Sequence, residues 1–136
     1  MWVGKRTKTK SKKIGVLKRK YLKALNIKNC NCFNIYLNPG AEKHIKTKHP
    51  KVYNNHFNSI KYIIQRPDYL GLNPNIKDGI ELVRDYKKDA ALISIAINKN
   101  GYLYLSSMYI IGNHKIQKRL KSGRLIPTPL LPHIKI

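Results

Sequence analysis

The chain has 136 residues, of which 28 are lysine or arginine and 6 are aspartate or glutamate, so its formal net charge is +22 at pH 7. This charge exceeds what solubility requires and favours a polyanionic partner, because nucleic-acid phosphates release condensed counterions when lysine and arginine bind them. The few carboxylates argue against a two-metal nuclease, and the lack of a long apolar segment argues against a membrane span or a secretory signal. We therefore expect a cytoplasmic protein that does not associate with membranes.

Charge is unevenly distributed along the chain, since no carboxylate precedes Glu42 and none follows Asp89. Residues 1–30 are predicted to be a basic N-terminal extension that is partly disordered. A short amphipathic helix is predicted to begin at Ile14, because the apolar residues there recur at helical spacing. Those residues are Ile14, Leu17, Tyr21, Leu22 and Leu25.

The middle of the chain is predicted to hold a strand and two helices. The strand runs from Asn31 to Leu37, where aromatic and β-branched residues precede Asn-Pro-Gly. Asn38 can then cap a helix whose first residue is Pro39, a position where the missing N–H costs nothing. That helix is predicted to end near His49, because the residue before a proline avoids helical geometry. A second helix is predicted from Lys51 to Gln65.

The second half of the chain is predicted to form an antiparallel sheet. Its strands are Tyr69 to Leu72 as an edge strand, Gly79 to Tyr86, Ala90 to Ile97 and Tyr102 to Ile111. The last two flank a glycine-closed loop at residues 98–101, which predicts a hairpin. Asn113 can cap a final helix that ends at Gly123, and no element is predicted from Pro127 onward.

This order of elements indicates an α+β fold instead of alternating βαβ units. The predicted architecture has N-terminal helices packed on a four-stranded antiparallel sheet, with a C-terminal helix. Residues 31–127 are predicted to be the folded domain and residues 128–136 a proline-rich tail.

Two cysteines raise the question of a metal site. Cys30 and Cys32 precede His44 and His49 with a spacing close to that of a zinc finger, but a single residue between the thiols is too few. We therefore expect no metal and no cofactor, and we favour two small side chains on one face of a strand.

The chemistry that remains available is RNA cleavage without a metal, which needs a base for the 2′-hydroxyl, an acid for the 5′-oxygen and cations around the phosphate. His44 is the candidate base, because on its helix it shares a face with Thr47 and Lys48, whose ammonium disfavours a second positive charge on the ring. His49, near the end of the same helix, is the candidate acid. Lys48 is a candidate substrate ligand. Either histidine could instead be an ordinary, partly buried residue.

The last strand and the helix after it supply further candidates. Strict alternation places Ser107 and Tyr109 on the face that carries Leu103 and Leu105. A hydroxyl of Ser107, with Tyr109 beside it, could donate to a phosphate oxygen, although both could equally be strand residues of high β-propensity. The following cations form either a phosphate-binding row or a solvated helix face. They are Lys115, Lys118, Arg119, Lys121 and Arg124.

The segments PGAEKHIKTKHP, RPDYLGLNP, YLYLSSMY and KRLKSGRLIP, in this order and spacing, resemble the phage-associated nuclease domains grouped with barnase, EndoU, colicins E5 and D, and RelE. The resemblance spans residues 36–127 and implies a metal-independent ribonuclease with helices on a four-stranded antiparallel sheet. By position it implies catalytic roles for His44, His49, Ser107 and Arg119. The residues beside them are our own candidates for substrate ligands: Lys48, Tyr109, Lys115, Lys118 and Arg124. The cationic segment before Asn31 and the proline-rich tail depart from the pattern.

Two functions of different classes follow. The first is an endoribonuclease, a toxin or mobile-element effector, that cuts RNA (tRNA among the candidates) by transesterification and leaves a cyclic phosphate. The second is a non-catalytic protein that binds RNA or DNA, such as an inhibitor of a nucleoprotein complex, which the extra lysine-rich segment favours. An immunity or antitoxin partner would be acidic, to match the field of this surface.

Overall fold

The computed structural model describes residues 11–28, 30 and 33–128. Seven strands lie in this part of the chain and form one mixed sheet. Their bounds are β1 Lys12–Val16, β2 Asn34–Leu37, β3 Tyr69–Asn73, β4 Gly79–Asp85, β5 Ala90–Ile97, β6 Leu103–Ile110 and β7 Leu125–Pro127. The strand order is β1-β2-β6-β5-β4-β3-β7, and every neighbouring pair is antiparallel except β2 and β6.

The helices cover or flank this sheet. Their bounds are α1 Arg19–Ala24, α2 Pro39–Lys48, α3 Pro50–His56, α4 Ile60–Gln65 and α5 Asn113–Ser122, with a 3-10 turn at Phe57–Ser59. Asn38 caps α2 as predicted, since its Oδ1 accepts the N–H of Ala41 at 2.8 Å. Gly123 ends α5 with a φ of 84°, which glycine adopts without steric cost, whereas the N-cap of α5 is Gly112 and not the predicted Asn113. Among the described residues, no helix is long and apolar enough to cross a bilayer.

The α+β class is confirmed, whereas the predicted four-stranded antiparallel sheet is wrong. The expected meander is present as β3 to β6, but β1 and β2 extend it on one side and β7 on the other. β2 joins β6 in parallel, and β7 pairs with β3, so Tyr69–Leu72 is not the predicted edge strand. These pairings join segments that are distant in the chain, and short strands are stabilised by such neighbours more than by their own propensity.

The helix predicted from Ile14 is also wrong, because Lys12–Val16 is a strand that pairs antiparallel with β2. Only the later part of the apolar pattern forms a helix, α1. Gly15 lets β1 lie close to α4, since a Cβ there would stand 2.8 Å from Ile64 Cδ1. Residues on both sides of position 30 therefore share one sheet and one core. Residues 1–10, for which the sequence predicts disorder, lie outside the described part, as do residues 129–136 of the tail.

The single helix predicted over residues 51–65 is interrupted at His56. There α3 ends, and the 3-10 turn separates it from α4. The His56 side chain is buried, with Nε2 2.9 Å from Asp89 Oδ1 and its ring stacked on Tyr86 at 4.2 Å between centroids. His56 therefore has a structural role, because it ties this break to the turn between β4 and β5.

Apolar side chains pack on both faces of the sheet. The larger core cluster lies between α1–α4 and one face, which includes Leu82 and Met108. The smaller cluster joins Val83 and Leu92, on the opposite face, to Ile116 of α5. We call these the helical-layer face and the α5 face.

Candidate functional site

A β-bulge in β6 decides which face carries the predicted strand residues. Leu105 and Ser107 pair with consecutive residues of β5, so Ser106 is an extra residue between them. The bulge reverses the alternation: Leu103 and Leu105 pack into the larger core cluster, while Ser107 lies on the α5 face. The prediction that Ser107 shares a face with Leu103 and Leu105 is therefore wrong, since strict alternation assumes a ladder without insertions.

The bulge completes a row of paired residues across the α5 face. The row runs from Gly71 of β3 through Glu81 of β4 and Ser94 of β5 to Ser107 of β6. Since neighbouring strands lie about 5 Å apart, the backbones of Glu81 and Ser107 are about 10 Å apart. Tyr109 follows Ser107 on the same face.

Glu81 is the buried charge of this row. Its side chain is 1% exposed, and it accepts hydrogen bonds from Arg124 Nη2 at 2.8 Å and from Arg124 Nε at 3.1 Å. Nη1 of Arg119 lies 3.5 Å from the same carboxylate. Two predicted site residues are thus brought together by an acid that sequence reasoning missed. The available signal was a carboxylate inside the apolar run GIELV, because a buried acid needs a cationic partner.

This cluster has a net positive charge and contains buried polar atoms that make no hydrogen bond to any described residue. Two guanidinium groups face one carboxylate, so the cluster is a net cation. Nη1 of Arg119 and the neighbouring Ser94 Oγ are buried without a hydrogen-bond partner in the described structure. A buried group without a hydrogen bond costs about 1–3 kcal/mol, and for Arg119 the ion pair with Glu81 offsets part of that cost.

Gly71 provides the space that Arg124 occupies. A Cβ at this position would overlap the backbone carbonyl oxygen of Arg124, which a side-chain rotation cannot relieve. Gly71→Ala is expected to displace β7 and to lower the free energy of unfolding by about 1–3 kcal/mol. Urea denaturation measures this, with Gly112→Ala as the matched control because a Cβ there meets nothing within 4 Å. Equal stability of the two variants would contradict the prediction.

The two predicted histidines lie at the junction of α2 and α3, and both helices contact β6. His49 is half-buried, and its ring lies 6.0 Å from that of Tyr109 between centroids. His44 is exposed, with its ring 6.3 Å from that of His49. His49 therefore lies beside Tyr109, and His44 lies next to His49. Within the described residues, neither histidine hydrogen-bonds to Ser107, which is half-buried on the same face.

The predicted lysine ligands of α2 and α5 are exposed. Lys48 is the last residue of α2, and Lys115 and Lys118 lie on α5. In the part of the chain that the structure describes, no carboxylate lies within 4.0 Å of their ammonium groups. They are therefore open to an external anion.

The zinc-like spacing gains no support from the described residues. In residues 11–28, 30 and 33–128, no group of three or more histidine, cysteine, aspartate or glutamate side chains could hold a metal ion. Cys30 packs against the larger core cluster, and Cys32 lies outside the described part.

Comparison with known proteins identifies the family. The sequence model of the family described as phage-Barnase-EndoU-ColicinE5/D-RelE like nuclease3 matches residues 12–118. The match begins at β1 and ends within α5, so it includes both histidines, Glu81 and Ser107 but stops just before Arg119. No curated protein and no solved structure matches the chain. Because the family match spans most of the chain, including the central strands and the junction that carries the histidines, this chain belongs to the phage-Barnase-EndoU-ColicinE5/D-RelE like nucleases.

Proposed function

We propose that this member of a nuclease family is a metal-independent endoribonuclease that acts as a toxin or mobile-element effector. The observation that carries the proposal is the contact between His49 and Tyr109, because it joins the histidine pair to the sheet face that holds the Glu81 cluster. An acid, a base and a cationic cluster are the parts that RNA cleavage without a metal requires.

In the proposed reaction, His44 accepts the proton of a ribose 2′-hydroxyl, and that oxygen attacks the adjacent phosphorus. The bond from phosphorus to the 5′-oxygen breaks as the new bond forms, and His49 donates a proton to the leaving oxygen. The products are a 2′,3′-cyclic phosphate and a 5′-hydroxyl. The ring centroids are 6.3 Å apart, so both imidazoles can reach the oxygens of one linkage.

The negative charge that develops on the phosphate is assigned to the cationic cluster. Arg119, whose side chain is 16% exposed, would donate from its guanidinium, and Ser107 would donate from its hydroxyl. Glu81 is assigned a positioning role, because it holds both guanidinium groups at the sheet. Phosphates on either side of the cleaved bond are assigned to Lys48, Tyr109, Lys115, Lys118 and Arg124.

Purified protein and total RNA, incubated in EDTA, test this proposal. Fragments that end in a 2′,3′-cyclic phosphate are expected, and an oligonucleotide with a 2′-deoxyribose at the cleaved position is expected to resist. His44→Ala is expected to lose cleavage. No cleavage by either protein, equal cleavage by both, or a requirement for added metal would each contradict the proposal.

Binding of nucleic acid without catalysis is the second candidate, because exposed lysines extend to surfaces that carry neither histidine, such as α4. Such a protein, for example an inhibitor of a nucleoprotein complex, would show steep salt-dependent affinity that His44→Ala leaves unchanged. Loss of toxicity in cells on His44→Ala, with unchanged affinity, would exclude it. In either case an acidic immunity or antitoxin protein is a fitting partner.

A further inference from the structure

A cationic groove lies away from the histidines, where α4 packs against β1. Lys61 and Gln65 of α4 line it together with Lys13 and Val16 of β1, and its volume is about 270 Å³. α4 belongs to the helical layer, since Ile64 is part of the larger core cluster. The groove is therefore on the opposite side of the sheet from the α5 face.

More cations gather beside this groove, around Tyr21. The Nζ atoms of Lys18 and Lys20 lie 5.9 and 5.8 Å from its ring centre. Burial lowers the pKa of Lys18, and the positive charges of Lys20 and Arg66 lower it further. No carboxylate among the described residues lies within 4.0 Å of Lys18, Lys20 or Arg66. The fold thus holds like charges together without an internal counter-ion, which opposes folding unless an external anion binds.

An exposed aromatic ring follows Lys61 on α4. Tyr62 of α4 is 47% exposed, and the guanidinium of Arg84 lies 4.7 Å from its ring centre. Arg84 also donates from Nη1 to the carbonyl oxygen of Arg66 at 2.6 Å, which holds the guanidinium against the ring. Arg84 occupies one face of the Tyr62 ring, so a base would stack on the other face. Cations beside an exposed aromatic ring are typical of single-stranded nucleic-acid sites, where the cations bind phosphates and the ring stacks on a base.

We propose that this surface binds single-stranded RNA at a second place, outside the active site. We name it the α4 surface and define it by Lys13, Lys18, Lys20, Lys61, Tyr62 and Arg66. An acidic protein would also satisfy the lysines, but the exposed ring beside them favours a base. The inference rests on the proposed function in taking RNA as the ligand. Since the α4 surface lies away from the histidines and on the opposite side of the sheet from the Glu81 cluster, long or folded RNA would be preferred over short oligonucleotides.

A charge-matched pair of triple variants tests the phosphate contacts. One carries Lys13→Gln, Lys61→Gln and Arg66→Gln; the control carries Lys77→Gln, Lys88→Gln and Lys99→Gln, three exposed lysines in turns. The probe is a long 2′-O-methylated single-stranded RNA, which lacks the attacking hydroxyl. The slope of log affinity against log salt concentration is negative. Its magnitude is expected to decrease by about 2 for the α4-surface variant and by much less for the control.

A matched tyrosine pair tests the stacking contact. Tyr62→Ala is expected to weaken binding of the same RNA by about 5- to 100-fold, whereas Tyr102→Ala should not. The control is well matched, because Tyr102 is 46% exposed and lies at the β5–β6 turn. Cleavage of a dinucleotide is expected to be equal for all variants. If wild type does not cleave the dinucleotide, the proposed ribonuclease function is contradicted, and the α4 surface is still decided by the binding measurements. If the α4-surface variants and the control variants bind RNA equally, the inference about the α4 surface is overturned.

Discussion

Replacing Glu81 by alanine is expected to lower the free energy of unfolding by about 3–5 kcal/mol, because two guanidinium groups lose their buried counter-ion. The side chains of Arg119 and Arg124 are only 16% and 27% exposed, so water screens them poorly. Urea denaturation followed by circular dichroism measures the change. Glu42→Ala is the control: this carboxylate is partly exposed, lies 4.0 Å from Lys12 and accepts a tyrosine hydroxyl, so a loss of about 1 kcal/mol is expected.

A further variant separates this stabilising effect from the proposed role in catalysis. Replacing Glu81, Arg119 and Arg124 together by leucine removes the ions without leaving one unpaired, and such exchanges are often neutral or stabilising by about 1–4 kcal/mol. The triple variant is therefore expected to fold at least as stably as wild type and to have no RNA cleavage. Retained cleavage would remove the arginines from the mechanism. If the triple variant is as unstable as Glu81→Ala, unpaired arginine charges do not explain the lower stability of Glu81→Ala.

Replacing His49 by alanine is expected to lower the rate of the RNA cleavage step by about 10²–10⁴-fold, the usual contribution of a general acid or base. Its stability is expected to stay near that of wild type. The side chain is half-buried and stands against the rings of His44 and Tyr109, while its backbone N–H donates to the Ile45 carbonyl at 2.8 Å, a bond that alanine keeps. Single-turnover cleavage of one RNA by both proteins gives the ratio.

Asn54→Ala is the control for His49→Ala, because Asn54 is an exposed residue of the adjoining helix α3. It should cleave RNA at the wild-type rate. A His49→Ala variant that cleaves equally fast would contradict the proposed acid. If instead its rate and its stability fall together, the residue supports the α2–α3 junction and does not transfer a proton.

Local rules predicted several elements correctly. Asn38 and Pro39 start α2, and the β5–β6 hairpin turns at residues 98–101 with Gly101 at a φ of 85°. Gly123 ends α5. In each case the residues that decide the structure are within a few positions of each other, so caps, turn glycines and short periodic runs contain the needed information.

The candidate site was predictable only in part. The histidine pair on one helix end follows from its spacing, and its position beside Tyr109 requires the packing of α2 and α3 on β6. The face on which Ser107 lies depends on one extra residue, Ser106, and a bulge leaves no clear mark in a sequence of alternating side chains. No local pattern around Glu81 indicates its arginine partners, because Arg119 lies on α5 and Arg124 just after it.

Sequence by itself determined the charge that favours a nucleic acid, the α+β class and the separate candidates His44, His49, Ser107 and Arg119. Only the tertiary structure decided that β1 and β7 enlarge the sheet, that β2 runs parallel to β6, and that Glu81 holds the arginines. The physical reason is the separation along the chain over which each interaction acts. Periodicity and capping act between near neighbours, whereas the Glu81–Arg124 pair joins residues 43 positions apart, which meet only when β3 and β7 have paired.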